Sequence, residues 1–212
     1  MKIRRFICNA FQENCYVVSD GSHCVIIDPG FAGGELDGLY KYLEAEGLRP
    51  EAILLTHSHW DHTLGVSALV ERFGIPVISA AELVQTPEGT ISCLQPAKQG
   101  VQTPEGPDLW KRFQTIATPG HTPDSVCYYS EADHVLFTGD TLFAGSIGRT
   151  DLPGGDYDAE IRSIMEKLIF LPGETDIYPG HGPASTIARE RMENPFLEPF
   201  NEREEIFTEE EK

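Results

Sequence analysis

The sequence predicts a layered α/β fold in which two packed sheets are flanked by helices. Three observations lead there. Two β-rich series, at 2–28 and 113–138, are each followed by helical segments. Residues 52–79 alternate strand, helix and strand, a rhythm that stacks helix on sheet. The histidines and aspartates best suited to chemistry fall just after strands, where the loops of layered folds gather.

In chain order, 2–8, 14–19 and 24–28 read as strands, with the hairpin turn SDGSH at 19–23. The loop DPGFAGG follows, and 36–46 has helical spacing that stops at Gly47. The short apolar run at 52–56 is a buried strand, 63–73 a helix ended by Gly74, and 76–79 a strand. Residues 85–107 break the rhythm. QTPEG occurs there twice, at 85–89 and 102–106, which reads as a turn-rich insert or, functionally, as a loop beside a substrate mouth. Strands follow at 113–118, 125–130 and 134–138, then a helix at 157–170, a strand at 175–178 and a last helix at 185–192.

The chain of 212 residues suits one domain, expected at 1–197, with an acidic tail at 198–212. Its net charge of −18 disfavours nucleic acid and anionic membranes as partners. Apolar runs are strand-sized and too short to span a bilayer. The opening MKIRRFICNAF lacks the apolar core of a signal peptide, so the expected location is cytoplasmic. Five cysteines without CxxC spacing give neither a disulfide framework nor a zinc knuckle.

The stretch LLTHSHWDHTLG, 54–65, sets His57, His59, Asp61 and His62 directly after an apolar run. His121 in ATPGHTPDS, Asp140 in LFTGDTLF and His181 in IYPGHGPAS each occupy a turn after a strand. Seven such groups divide into two metal sites. His57, His59 and His121 form a three-histidine set of the kind zinc accepts. Asp61, His62 and His181 form the second, and Asp140 has two oxygens with which to bridge both. Water between two such ions ionises near neutral pH, so Asp61 and Asp140 are the candidate catalytic carboxylates. The expected cofactors are two divalent ions, zinc first, with iron or manganese as alternatives. Arg149, in GSIGRTD, is a candidate for binding a substrate carboxylate or, equally, for a local pair with Asp151. Tyr178 either lines the pocket or packs.

These residues resemble the metallo-β-lactamase superfamily, from IIDPG at 26–30 through HxHxDH to YPGHGP at 178–183. The resemblance implies a four-layer αββα sandwich and a role for Asp28 in supporting the metal ligands from behind. The stretches DTLFAGSIGRTDLPGGD, 140–156, and PGHGPASTIARERMENPFL, 179–197, look like the glyoxalase II-like branch of small bacterial hydrolases. That branch implies a small-molecule thioester of the hydroxyacylglutathione type, attacked by a metal-bridging hydroxide. Glyoxalase II itself carries a longer basic C-terminal region that grips glutathione, where this sequence ends in an acidic segment. The alternative is a persulfide dioxygenase-like oxidoreductase, with one iron held by His57, His121 and Asp140.

Overall fold

The computed structural model describes residues 1–95 and 109–200. Part of the expected insert, 96–107, and most of the acidic tail, 201–212, lie outside the described residues.

The first sheet is built from β1 (Lys2–Cys8), β2 (Glu13–Asp20), β3 (His23–Ile27), β4 (Arg49–Leu54) and β5 (Val77–Ile78), in that spatial order. The first three strands are antiparallel, as their short turns require, and β3, β4 and β5 are parallel. Between them come α1 (Leu36–Ala45), a single turn α2 (Trp60–Thr63) and α3 (Val66–Phe73). Sequence spacing gives one helix over 63–73. The structure divides it at Gly65, whose N–H donates to the Pro29 carbonyl at 2.8 Å and so anchors the break to the loop after β3.

The hairpin β6 (Leu83–Thr86) and β7 (Gly89–Ser92) occupies the described start of the insert. The expected turn is present, here between two short strands: the first QTPEG supplies it, closed by the Thr86 hydroxyl on the Gly89 carbonyl at 2.9 Å. The second sheet contains β8 (Gln114–Ala117), β9 (Val126–Ser130) and β10 (Val135–Gly139). After a small hairpin of β11 (Leu142–Phe143) and β12 (Ser146–Ile147) come α4 (Tyr157–Ser163), β13 (Asp176–Pro179), β14 (Ser185–Thr186) and α5 (Ile187–Glu193). Its order is β14-β13-β10-β9-β8. The helix expected over 157–170 starts where Asp156 accepts the Ala159 N–H at 2.9 Å. After Ser163 it widens into a π turn over Ile164–Leu168.

Side-chain alternation explains the layering. Val18, Val25, Ile27 and Leu54 of the first sheet meet Val126, Tyr128 and Phe137 of the second. Their sequence neighbours point the other way. Val17, Ile26 and Ile53 pack on Leu39 and Leu43 of α1 and Leu69 of α3. Cys127, Leu136 and Ile177 pack on Ile164, Leu168 and Ile187. Both faces of both sheets are therefore covered, which is why β2, β9 and β10 read as almost unbroken apolar runs. The expected αββα sandwich is the observed one. No helix among the described residues is long and apolar enough to cross a membrane.

Candidate metal centre

All seven predicted ligands converge at one end of the two sheets. His57 and His59 leave β4, Asp61 and His62 lie on α2, His121 follows β8, Asp140 follows β10 and His181 follows β13. His59 Nδ1 stands 3.1 Å from His57 Nε2 and 2.9 Å from His121 Nε2. The Asp61, His62 and His181 ligand atoms form a second group, all within 4.8 Å of one another. Asp140 joins the two. Its Oδ1 lies 3.5 Å from His62 Nε2, and its Oδ2 lies 3.6 Å from both His121 Nε2 and His181 Nε2.

The outward nitrogens decide what the inward ones can do. His121 Nδ1 is 2.7 Å from the Arg149 carbonyl, and His181 Nδ1 is 3.1 Å from the Phe11 carbonyl. A carbonyl only accepts, so each ring carries a proton there and, in its neutral form, turns a bare Nε2 lone pair inward. Asp28 performs the same service from beneath. Its Oδ1 accepts the Thr56 N–H at 2.8 Å, and its Oδ2 accepts the Thr56 hydroxyl at 2.6 Å and His62 Nδ1 at 3.1 Å. The Thr56 oxygen in turn faces His57 Nδ1 at 3.1 Å. Asp28, His57 and His62 also form a close trio. With both of its oxygens engaged by donors, Asp28 supports ligands rather than acting as one. It holds this position at φ 48°, a left-handed conformation that aspartate tolerates at modest cost.

The glycines of TGD and PGH have a steric reason. A Cβ on Gly139, at φ 49°, would lie 2.2 Å from Thr56 Oγ1, and one on Gly180 would lie 2.3 Å from Asp140 Oδ1. The loop carrying His181 is pinned across the sheets. Asn14 Nδ2 donates to the Pro179 and Gly182 carbonyls, each at 2.9 Å, and the Tyr16 hydroxyl donates to Pro179 at 2.7 Å.

Charge is polarised in the same sense. Burial pushes the His57 imidazole well down, and burial followed by His121 lowers His59. For His62 burial acts downward, but Asp140 and Asp28 outweigh it and raise the imidazole well above its ordinary range. His181 is raised in the same way, with Asp61 outweighing burial. Burial works against ionisation of Asp140 and Asp61 too. The facing histidines overcome it and hold both carboxylates below their usual range. The donor set fits divalent metal. His62 Nε2 and Asp140 Oδ1 are buried without hydrogen-bond partners, face each other, and are both lone-pair ligands once protons leave.

Two buried carboxyls of the centre went unnoticed in the sequence. Glu13, at the start of β2, is fully buried with both oxygens unpartnered, and its Oε1 lies 3.8 Å from His62 Nδ1. Burial raises it well above the usual carboxyl range. Glu160 on α4 accepts the His121 N–H at 2.9 Å, and burial first, with Asp140 adding, pushes it up to about 8. It therefore keeps a proton in the fold that the unfolded chain releases near pH 4.5. Between those values the native state binds more protons than the unfolded one, so this residue makes stability fall as pH rises. The slope is at most about 1.4 kcal/mol per unit. Glu160→Gln should remove the slope, so that the variant gains on the wild type from pH 5 to pH 8 in urea unfolding of the metal-free proteins. A constant difference between the two curves would show that Glu160 does not titrate in this window.

The cleft over the centre has a volume of about 560 Å³, ordinary for a small-molecule site. Arg149 lies on its wall but reaches no ligand. Its Nε and Nη2 bind the two Asp151 oxygens at 2.8 Å each, an exposed local pair, and its share in the centre is the main-chain carbonyl on His121. Tyr178 packs. Its ring stacks on Phe137 at 5.3 Å and meets Tyr16 edge-on at 5.6 Å, the packing alternative of the two the sequence offered for it. The hairpin of β6 and β7 is likewise absent from the cleft wall. Phe11, Trp60, Phe143, Ile147 and Leu152 line the cleft instead. Of these Trp60 lies inside HxHxDH and Phe143, Ile147 and Leu152 inside the 140–156 stretch, while Phe11 had no sequence signal.

The family model of the metallo-β-lactamase superfamily matches residues 8–181, a span that contains every one of these ligands. The chain belongs to that superfamily, whose members are metal-dependent hydrolases. It is 36% identical to the "Probable metallo-hydrolase YqgX" of Bacillus subtilis, over 95% of this chain and 100% of that protein. It is 35% identical to the "Hydroxyacylglutathione hydrolase GloC" of Haemophilus influenzae, over 93% and 98% respectively. Among solved structures, TTHA1623 in a di-iron-bound form superposes with a TM-score of 0.78 at 35% identity, covering 92% of this chain and 100% of that one. BLEG-1, described as a B3 metallo-β-lactamase, gives the same TM-score and identity over 92% and 99%.

Proposed function

We propose that this superfamily member hydrolyses a thioester of the hydroxyacylglutathione type with two divalent ions, zinc foremost and iron or manganese as alternatives. The observation that carries the reading is the joint convergence of two ligand groups on Asp140, with the outer histidine nitrogens engaged elsewhere. His57, His59 and His121 would hold one ion, Asp61, His62 and His181 the other, and Asp140 would serve both. Such ions, when bound, supply Lewis acidity toward a carbonyl and ionise water near neutral pH. The chain's own residues do the rest. Asp61 and Asp140, held ionised by their histidines, orient the attacking water. The rigid second contacts through Asp28, Arg149 and Phe11 keep the imidazoles from turning.

Among the described residues, no cysteine lines the cleft to compete for that role. Cys8, Cys15, Cys24 and Cys127 are buried, and burial pushes the Cys24 and Cys127 thiols up to about 12. The relative named for hydroxyacylglutathione hydrolysis supports the thioester. The full set of seven ligands favours two ions over the single iron of a persulfide dioxygenase-like site, which would leave His59, Asp61, His62 and His181 without a task.

The test is kcat/KM of metal-loaded protein on a hydroxyacylglutathione thioester, a β-lactam and a phosphodiester, with O₂ uptake followed in parallel. The thioester should be turned over fastest, without O₂ consumption. Asp61→Ala should lower that turnover by roughly 10²-fold or more. The melting temperature of the metal-free protein should move by no more than about 4 °C, since Asp61 is a cleft ligand and not a packing group. Near wild-type turnover in the variant, or O₂ uptake with one iron per chain, would overturn the reading.

A further inference from the structure

Two aromatic rings stand in water at the mouth of the cleft. Phe11 is 59% and Trp60 54% exposed, and they meet edge-to-face with centroids 4.9 Å apart. They come from separate segments, the turn between β1 and β2 and the start of α2 within HxHxDH. Exposed side chains of this size are unfavourable unless something covers them.

The Phe11 turn is built rigidly onto the ligands. Phe11 donates its N–H to Asn9 Oδ1 at 2.9 Å and receives His181 Nδ1 on its carbonyl. Asn9 Nδ2 donates to the Asp61 and Gly30 carbonyls, each at 2.9 Å. Asn9 and Gln12 hold the turn with φ of 49° and 57°. Trp60 is fixed between the ligands His59 and Asp61 by the chain itself. The far wall, Phe143, Ile147 and Leu152, is apolar too.

Cationic recognition is missing from the same surface. Among the described residues lining the cleft, Arg149 is the single Arg or Lys, and both of its contacting nitrogens are committed to Asp151. An anionic arm would have to compete with Asp151 for Arg149, whereas an apolar arm would cover the aromatic pair.

We infer that the cleft selects a substrate whose arm beside the reacting carbonyl is uncharged and apolar, seated against Phe11 and Trp60. The inference rests on the thioester reading for the reacting group and concerns the acyl arm, whose length and polarity beyond the hydroxyacyl carbon that reading leaves open. Phe11 and Trp60 are then specificity-determining residues, and affinity should climb with chain length by up to about fourfold per methylene buried.

Binding can be read without turnover. The chain has two tryptophans, so Trp110→Phe, outside the cleft, leaves Trp60 as a fluorescent reporter. Metal-loaded W110F protein is titrated with neutral alkyl thioethers of four, six and eight carbons, and with ω-carboxylates of the same lengths. The neutral series should quench or shift Trp60 emission and tighten with length, each carboxylate binding at least tenfold more weakly. Phe11→Ala should weaken the eight-carbon neutral ligand by at least fivefold and Phe11→Leu should restore most of it, while Arg149→Ala changes neither series. Affinity flat with length, no effect of Phe11→Ala, or carboxylates that bind better and depend on Arg149 would each overturn the inference. Hydrolysis of the matching neutral thioesters, measured alongside, separates the two claims. The predicted binding pattern without hydrolysis leaves the apolar selection standing and removes the thioester reading.

Discussion

Asp140→Ala should lower kcat by roughly 10³-fold and leave the protein unable to hold its two metals together. One carboxylate makes both connections, Oδ1 toward His62 and Oδ2 toward His121 and His181, at 3.5–3.6 Å. Its removal takes from among five imidazoles a negative charge that two metals would otherwise share. Electrostatic and Lewis-acid terms of this type are worth several kcal/mol, and about 4 kcal/mol corresponds to the stated loss. Asp140→Asn keeps the volume and removes the charge. It should be nearly as inactive, which separates charge from packing. Metal analysis and steady-state kinetics on both variants check the claim, and an active variant retaining two ions would refute it.

Asp28→Ala should damage stability and metal affinity together. The change strands the Thr56 N–H and hydroxyl and His62 Nδ1, all buried, in a single step. Orphaned buried donors cost about 3 kcal/mol in sum, or roughly 6–12 °C in melting temperature for a chain of this size. Freed to rotate, His57 and His62 should bind metal about 10–100-fold more weakly. Thermal unfolding of the metal-free protein and a competition titration with a chelating dye measure the two effects. Asp61→Ala is the contrast, with turnover lost and the metal-free fold retained.

The ligands were legible because their chemistry is written in residue type and their position in local grammar. HxHxDH, PGH, TGD and PGHG each place a coordinating side chain directly after a strand, and the strands themselves were visible as apolar runs. The sandwich was legible for a related reason: runs such as YVV and CVII leave no polar face, so both sides of each sheet need cover. What lay hidden depends on partners distant in the chain. Glu13 and Glu160 look like ordinary surface acids, and only the meeting of β2 with α2, and of α4 with the His121 loop, buries them. Tyr178 has no local mark showing that Phe137 and Tyr16 enclose it. For Arg149 the sequence offered a substrate or Asp151 two residues on, and the geometry shows the pair. The hairpin at Leu83–Ser92 was hidden by Pro87 and Gly89, which read as loop, whereas Pro87 and Glu88 make its turn and Gly89 opens β7.

The central claim is a two-metal centre on seven named side chains. Equilibrium titration of the metal-free protein with Zn²⁺, followed by an anomalous-scattering map of the loaded crystals, tests it most directly. Two ions per chain are expected, one at His57, His59 and His121, the other at Asp61, His62 and His181, with Asp140 touching both. Saturation at a single ion, or metal density away from these residues, would contradict it.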